Sequence, residues 1–156
     1  MPETKLPIET VLEIRDSCLC LAAQRAARLL ARRFDRVFAP LGLTNGQFSL
    51  LVALSADWSP RLGTLAELLA MDHATVTAAM RTLSRHGLVT LETDPADARA
   101  RIPRLTEAGR ARVARAVPLW RAEHARINAA LEPEARAALP DLLGQLARAA
   151  GSAPDS

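Results

Sequence analysis

The residues of this chain best placed to do chemistry are arginines and threonines at helical spacing, and what they can do is non-covalent. Thr75, Thr77, Arg81 and Arg85 lie along one short stretch with Ala78 among them, and Arg99 and Arg101 follow a turn cluster. A guanidinium presents a planar fork of donors that pairs bidentately with a phosphate or a guanine edge. Hydroxyls bond phosphates or base edges, and an alanine allows close approach to a thymine methyl. Asp97 stands two residues before Arg99, a spacing suited to holding that arginine by a charge-assisted bond.

Covalent and metal chemistry find little support. The chain has no phosphate-binding glycine loop, no H-E-x-x-H helix and no nucleophile elbow. The reading is therefore that it is no enzyme and carries no cofactor. The three histidines, His73, His86 and His124, are scattered, and no metal site is expected from them. Cys18 and Cys20 are the one candidate for a sensor. They fall near the start of a long helical pattern, where backbone dipoles favour a thiolate. At i and i+2 of a regular helix they point to different sides, which disfavours a disulfide between them. The alternative is two small buried apolar residues.

Residues 61–106 must position the arginines and threonines. Thr64 with Glu67 has the spacing of a capping box, which starts a helix whose apolar face is Leu65, Leu68 and Leu69. Residues 70–73 form a break, and Asp72 can cap a second helix running to Arg85 or His86. Gly87 then stands where a left-handed helix end wants glycine. Val76, Met80 and Leu83 make one buried stripe. The opposite face carries Ala74, Ala78, Arg81 and Arg85, flanked by Thr75, Thr77 and Thr82. Such a face suits a DNA major groove. A plain amphipathic helix with a solvated side reads equally well from the helix alone. The following segment tips the balance. A β-branched run ends at Asp94-Pro95-Ala96-Asp97, and a basic stretch with Arg99, Arg101 and Arg104 leads to a new helix at Thr106. That is a strand pair with a basic tip, and an arginine there can enter a minor groove. Pro103 lacks an amide donor and demands an edge position.

On these residues the chain resembles the MarR family of bacterial transcription regulators. Leu41-Gly42-Leu43-Thr44 with Gln47-Phe48, Thr75-Val76-Thr77, Leu83 to Val89, and the Asp94-to-Arg99 run leading to Leu105-Thr106-Glu107-Ala108-Gly109 carry the likeness. It extends from about Cys18 to the last helix. Ala78 departs from the arginine that many members carry, and Ser84 from a common acidic residue. The resemblance implies a homodimer on a palindromic operator of double-stranded DNA, released by a small-molecule effector, an aromatic or anionic acid. It also places Cys20 near the reactive cysteine of a peroxide-sensing branch, though this chain has no tyrosine to hold a thiolate.

The rest of the chain supplies the frame. At 156 residues with 49% apolar and 3% aromatic, the core must rest on Ala and Leu. The net charge of +3 argues only weakly for a nucleic-acid partner. No signal peptide or membrane-length apolar run is present, so a cytoplasmic protein is expected. Residues 1–10 read as an arm. One helix is expected from about 11 to 39, with Leu19, Ala23, Ala26, Leu30, Phe34 and Val37 as its stripe. Thr44 caps the next, which sends Phe48, Leu51, Val52 and Leu54 to the core. After Thr106 a heptad-like seam runs through Val113, Val117, Trp120, His124, Ile127 and Leu131. Leu139, Leu142, Leu143 and Leu146 follow on a last helix. These stripes exceed what one winged domain can cover, and a second copy is the expected cover.

The expected fold is thus mainly α with a two- or three-stranded β wing. Residues 1–40 give an N-terminal arm and dimerisation helix, 41–106 a winged helix-turn-helix lobe, and 107–156 the C-terminal dimerisation helices, all within one MarR-type domain over about 15–150. The expected function is a sequence-specific DNA-binding regulator, a repressor. The DNA-contacting set is Thr75, Thr77, Ala78, Arg81, Arg85, Asp97, Arg99 and Arg101. Alternatives are a thiol-based sensor using Cys20, or a winged-helix protein-interaction module that has lost DNA.

Overall fold

The computed structural model describes residues 5–151. The order is α1 (Ile8–Ser17), α2 (Leu19–Phe38), a 3-10 turn (Ala39–Leu41), α3 (Asn45–Ala53), α4 (Leu62–Leu68), α5 (His73–Arg85), β1 (Val89–Asp94), β2 (Asp97–Leu105), α6 (Glu107–Ala129) and α7 (Pro133–Gly151). Two compact units meet in sequence between Ala116 and Val117. The mainly α architecture with a small β wing is as expected from the sequence.

The first helix departs from expectation. Helix begins at Ile8, just after Pro7, so residues 8–10 are not a loose arm. Of the rest of the proposed arm, residues 5–7 carry no regular secondary structure and residues 1–4 lie outside the described residues. The expected single helix is interrupted at Cys18, whose backbone is extended (φ −71°, ψ 104°). Its sulfur accepts the Leu21 amide at 3.4 Å and so caps α2. No glycine or proline marks the break, and cysteine is not among the usual capping residues, which is why the sequence pattern runs straight across it. Neither cysteine is buried: Cys18 is half-buried and Cys20 exposed. The reading of them as small core residues is therefore corrected, and so is the premise of a regular helix between them.

The core of the first unit is built around three phenylalanines. Phe38 and Phe48 have ring centroids 4.5 Å apart, and Phe34 stacks on Phe38 at 5.8 Å. Gly42 (φ +65°) closes the turn after α2. Thr44 caps α3 as expected, in a full capping box: its Oγ1 accepts the Gln47 amide at 3.2 Å, and Gln47 Oε1 accepts the Thr44 amide at 3.0 Å. Phe48, Leu50, Leu51 and Leu54 are buried, whereas Val52 is 42% exposed, contrary to expectation. Leu50 takes the core position instead.

Helix α4 also starts differently. It begins at Leu62, two residues before the expected cap, so Thr64 and Glu67 lie inside it and form no capping box. Counting from Leu62, the inward positions at i, i+3 and i+4 are Leu62, Leu65 and Ala66, and these are buried. Leu68 falls outside that stripe and is 61% exposed.

Helix α5 follows a tight break. Asp72 holds its N-cap position, but its side chain makes no capping bond. Val76, Met80 and Leu83 are fully buried, and Gly87 (φ +71°) ends the helix as expected. The sheet is one antiparallel pair, with Val89 opposite Leu105 and Leu91 opposite Pro103. Both strands of such a pair are edges, so the missing amide of Pro103 costs no ladder bond to a third strand.

In the second unit, Trp120 stacks on His124 with centroids 4.9 Å apart, and Asn128 meets the His124 ring at 3.2 Å. Glu123 is buried and bonded to Arg126 at 3.0 Å. No residue of α7 is buried, and Leu139, Leu142 and Leu143 stand exposed.

Candidate nucleic-acid interface

Burying Val76, Met80 and Leu83 fixes what α5 shows to solvent. Ala74, Thr75, Ala78, Arg81 and Arg85 are all exposed, and Thr77 and Thr82 are half-buried at the margin. The outward face is as the sequence predicts, without a bulky apolar side chain. Its two arginines differ in setting. Arg85 Nη2 donates to Thr82 Oγ1 at 3.1 Å, and that hydroxyl in turn donates to the Ala78 carbonyl at 3.1 Å. Arg81 makes no such bond among the described residues. Ala78, Arg81, Thr82, Ser84, Arg85 and Leu91 line a shallow depression of about 570 Å³ on this face. Ala78 leaves room there that an arginine would fill.

The wing is a hairpin whose tip is Pro95-Ala96. Asp97 behaves otherwise than its spacing suggested. Its Oδ1 accepts the backbone amide of Arg99 at 3.0 Å, so it shapes the tip rather than gripping the guanidinium. A carboxylate two residues upstream reaches a main-chain N–H more easily than a long side chain that points across the strand. The Arg99 guanidinium is exposed and makes no bond among the described residues. Arg101 folds back, donating from Nη1 to the carbonyls of Ala98 (3.0 Å) and Ala100 (3.1 Å).

A cleft of about 580 Å³ lies where the wing, α5 and the start of α4 converge. Arg61, Leu62, Gly63 and Thr64 border it on one side, His73, Thr77 and Arg81 on the second, and Arg99, Ala100 and Arg101 on the third. Of the sequence-chosen residues, Thr77, Arg81, Arg99 and Arg101 therefore share one site. Ala78 and Arg85 lie along the neighbouring depression, and Thr75 is exposed on the same helix. Glu67 is the single carboxylate on the cleft wall against four guanidiniums, of which Arg61 is already paired with Asp94. That balance attracts an anion.

Two residues of this site escaped the sequence reading. Arg61 donates from Nε and Nη2 to Asp94 Oδ2, both at 2.6 Å, and Ala96 donates its amide to Asp94 Oδ1 at 2.8 Å. Asp94 is buried while Arg61 stays half exposed at the cleft. The Ala96 amide, then the Arg61 guanidinium, hold the Asp94 carboxyl below its ordinary range, against the opposing effect of desolvation. The pair is 33 positions apart, and no local spacing announces it. Arg104 ties the sheet to the same loop, bonding Glu92 at 2.7 Å and Ser59 at 2.9 Å.

Comparison with known proteins places this arrangement. The MarR family model matches residues 43–100. The M. tuberculosis transcriptional regulator MosR, solved in complex with DNA, is 36% identical, with 87% of this chain and 100% of that one covered and a TM-score of 0.73. The chain belongs to the MarR family. The transcriptional repressor CouR, bound to a 23-mer DNA duplex, is 30% identical over 92% of this chain and 99% of that one, with a TM-score of 0.77. Bordetella bronchiseptica BpsR, described as regulated in its DNA binding by 6-hydroxynicotinic acid, is 28% identical over 84% of this chain and 94% of that one, with a TM-score of 0.75. A search of the curated proteins finds no match. The matched segment, residues 43–100, runs from α3 through the wing tip, so the MarR signature falls on the elements that surround the cleft.

The remaining candidates do not join this cleft. Cys20 lies on α2, where Gln24 Nε2 donates to its sulfur at 3.0 Å and Arg28 donates to Gln24 Oε1 at 2.8 Å. Among the described residues no three His, Cys, Asp or Glu gather as a metal site would require. No helix among them is long and apolar enough to cross a membrane.

Proposed function

We propose that this MarR-family chain is a cytoplasmic transcriptional repressor, without enzymatic activity, that binds a palindromic double-stranded DNA operator as a homodimer. The observation that carries the reading is the single cleft joining α5 to the wing, with Arg81 and Arg99 on two of its walls and neither bonded to another of the described residues. In the bound state α5 lies in a major groove, where Arg81, Thr75, Thr77 and Ala78 meet base edges or phosphates. Arg99 enters the adjacent minor groove, and Arg85 and Arg101 serve the backbone. Residues 41–106 act as the DNA-binding lobe, and the segments on either side, 1–40 and 107–156, as the dimerisation lobe. The exposed leucines of α2 and α7 are its apolar surface.

A small aromatic or anionic acid is the proposed releasing effector, by likeness to the regulation by 6-hydroxynicotinic acid described for BpsR. It acts by favouring a spacing of the two α5 helices that no longer fits one operator. The protein-interaction reading has no support in a cleft walled by four guanidiniums. Thiol sensing by Cys20 has only the Gln24 contact behind it.

The test is titration of DNA from upstream of the gene at two salt concentrations, with Arg99→Ala alongside. Tight binding that weakens steeply with salt, and that the variant loses, is expected, because each neutralised phosphate releases counterions. Binding no tighter than to random DNA and unchanged by the variant would overturn the reading.

A further inference from the structure

The outer half of the wing is held to the protein by a charge pair rather than by packing. Across residues 92–101, Asp94 is the only buried side chain. The other buried wing residues, Val89 and Pro103, sit at or toward the base of the hairpin. A two-stranded ribbon has little stability of its own. What joins its tip to the body is Asp94, with one oxygen on the two Arg61 nitrogens and the other on the Ala96 amide of the turn. The ladder is irregular at this point, between Thr93 and Asp94, so strand pairing does not fix the tip direction there. Arg61 in turn directly precedes α4, two residues after Ser59, which accepts from Arg104 of β2.

We infer that Arg61 and Asp94 form a latch that holds the wing tip, and with it Arg99, in the position that reads the minor groove. Asp94 is thus an acidic residue that strengthens binding to an acidic polymer. The inference rests on the DNA-binding reading and adds to it a pair of positioning residues outside the set that touches DNA. Its sign separates it from the simpler alternatives. If Asp94 acted only through its charge, neutralising it would relieve repulsion toward phosphates and tighten binding. If Arg61 were only a phosphate contact sequestered by Asp94, neutralising Asp94 would release it and again tighten binding. Of these three, the latch alone makes neutralisation weaken binding.

The experiment uses the full chain and the isosteric Asp94→Asn variant, with Arg61→Lys, which keeps the charge but loses the fork. Thermal melts of both confirm that they fold. Operator affinity is measured at fixed salt, and amide hydrogen exchange of residues 95–101 is measured on the DNA-free protein. Asp94→Asn is expected to bind about tenfold more weakly, the scale of losing a hydrogen-bonded charge pair. Exchange at residues 95–101 should quicken by about the same factor while α5 is unaffected. Arg61→Lys should fall between the variant and wild type. The cost of Arg99→Ala should shrink in the Asp94→Asn background, because a misplaced arginine has less to lose. Equal or tighter binding by Asp94→Asn overturns the latch, whatever the exchange. Weaker binding with unchanged exchange overturns it too, since Asp94 would then act without holding the wing. Wild-type protein that binds no DNA would sink the regulator reading instead, and the exchange measurement would still decide whether Asp94 holds the tip.

Discussion

Thr106 donates its hydroxyl to the carbonyl of Gly87 at 2.7 Å, joining the first residue before α6 to the turn that ends α5. The same oxygen accepts the Gly109 amide at 3.0 Å, which caps α6, and the Thr106 amide donates to the Leu88 carbonyl at 3.1 Å. A side chain on residue 109 would put its Cβ only 2.1 Å from that Leu88 oxygen. The Thr-x-x-Gly spacing thus has a physical cause. Threonine supplies one hydroxyl to two backbones, and glycine lets them approach. The end of α5 and the beginning of α6 are joined through these bonds.

Gly109→Ala is accordingly expected to destabilise the protein by about 3 kcal/mol, the upper range for forcing an atom into a packed site. The clash is with backbone, which cannot swing away. Gly46→Ala is the control: nothing lies within 4 Å of its added Cβ in α3, and removing a helical glycine should raise stability by about 0.5 kcal/mol. Thermal or urea unfolding of the two variants checks both signs. Equal effects would remove the joint from the account.

Acid should loosen the wing through Asp94. Its carboxyl titrates below the ordinary value of 3.8, held down first by the Ala96 amide and then by Arg61. The unfolded chain therefore binds this proton more readily than the folded one, and stability rises with pH across the interval. The contribution is complete above about pH 3.8 and is lost as pH falls through the folded-state value. Asp94→Asn should flatten the stability profile below that pH and leave its slope unchanged near neutrality. Urea midpoints at pH 3 and pH 6 measure this. An identical acid slope in the variant would dissociate Asp94 from acid sensitivity.

Much of the interface was legible because it depends on local pattern. Val76, Met80 and Leu83 recur at helical spacing, so burying them dictates which way Arg81 and Arg85 face. Gly87 and Thr44 announce helix ends through backbone chemistry that few residues share. What the sequence hid was non-local or atypical. Arg61 and Asp94 meet only after folding. Asp97 was legible as a wing residue, but not as a ligand of the Arg99 amide, because spacing does not distinguish main chain from side chain. Thr64 and Glu67 form the right letters for a cap in the wrong phase, since Leu62 had already started the helix. Cys18 breaks a helix without any of the residues that usually do so.

The two arginines of α5 should contribute unequally to DNA binding. Arg85 is anchored to Thr82 on its own helix, which orients it but uses one of its donors. Arg81 is uncommitted and borders both the cleft and the neighbouring depression. Arg81→Ala is expected to cost about 1–3 kcal/mol of operator affinity and to relax base preference at one position per half-site. Arg85→Ala should weaken operator and random DNA alike and reduce the salt slope by about one. Titrations of both variants on operator and scrambled duplexes distinguish the roles. The reverse assignment would show that the Thr82 contact prepares Arg85 for base reading.

Homodimer formation should fail when the apolar surface of α7 is charged, and the choice of position matters. Leu139, Leu142 and Leu143 recur within one turn, are 40%, 55% and 51% exposed, and sit on a helix with no buried residue. A 19-residue helix with no fully buried residue, and only Gly144 and Leu146 half-buried, draws little tertiary stabilisation from its own chain. Its leucines must find cover in another molecule or remain in water. A lone exposed leucine carries no such implication, because single apolar side chains on a surface are ordinary. Leu68 on α4 is that case, at 61% exposure. Leu143→Glu should therefore shift the protein to monomer in sedimentation at micromolar concentration, and Leu68→Glu should leave the dimer intact. The monomer keeps its cleft, so it should still bind a half-site with the salt dependence of one wing and one α5. What it loses is the gain from engaging two half-sites at once, which linkage of two modules makes about a hundredfold or more. A Leu143→Glu protein that stays dimeric and binds as tightly as wild type would move the dimer surface away from α7.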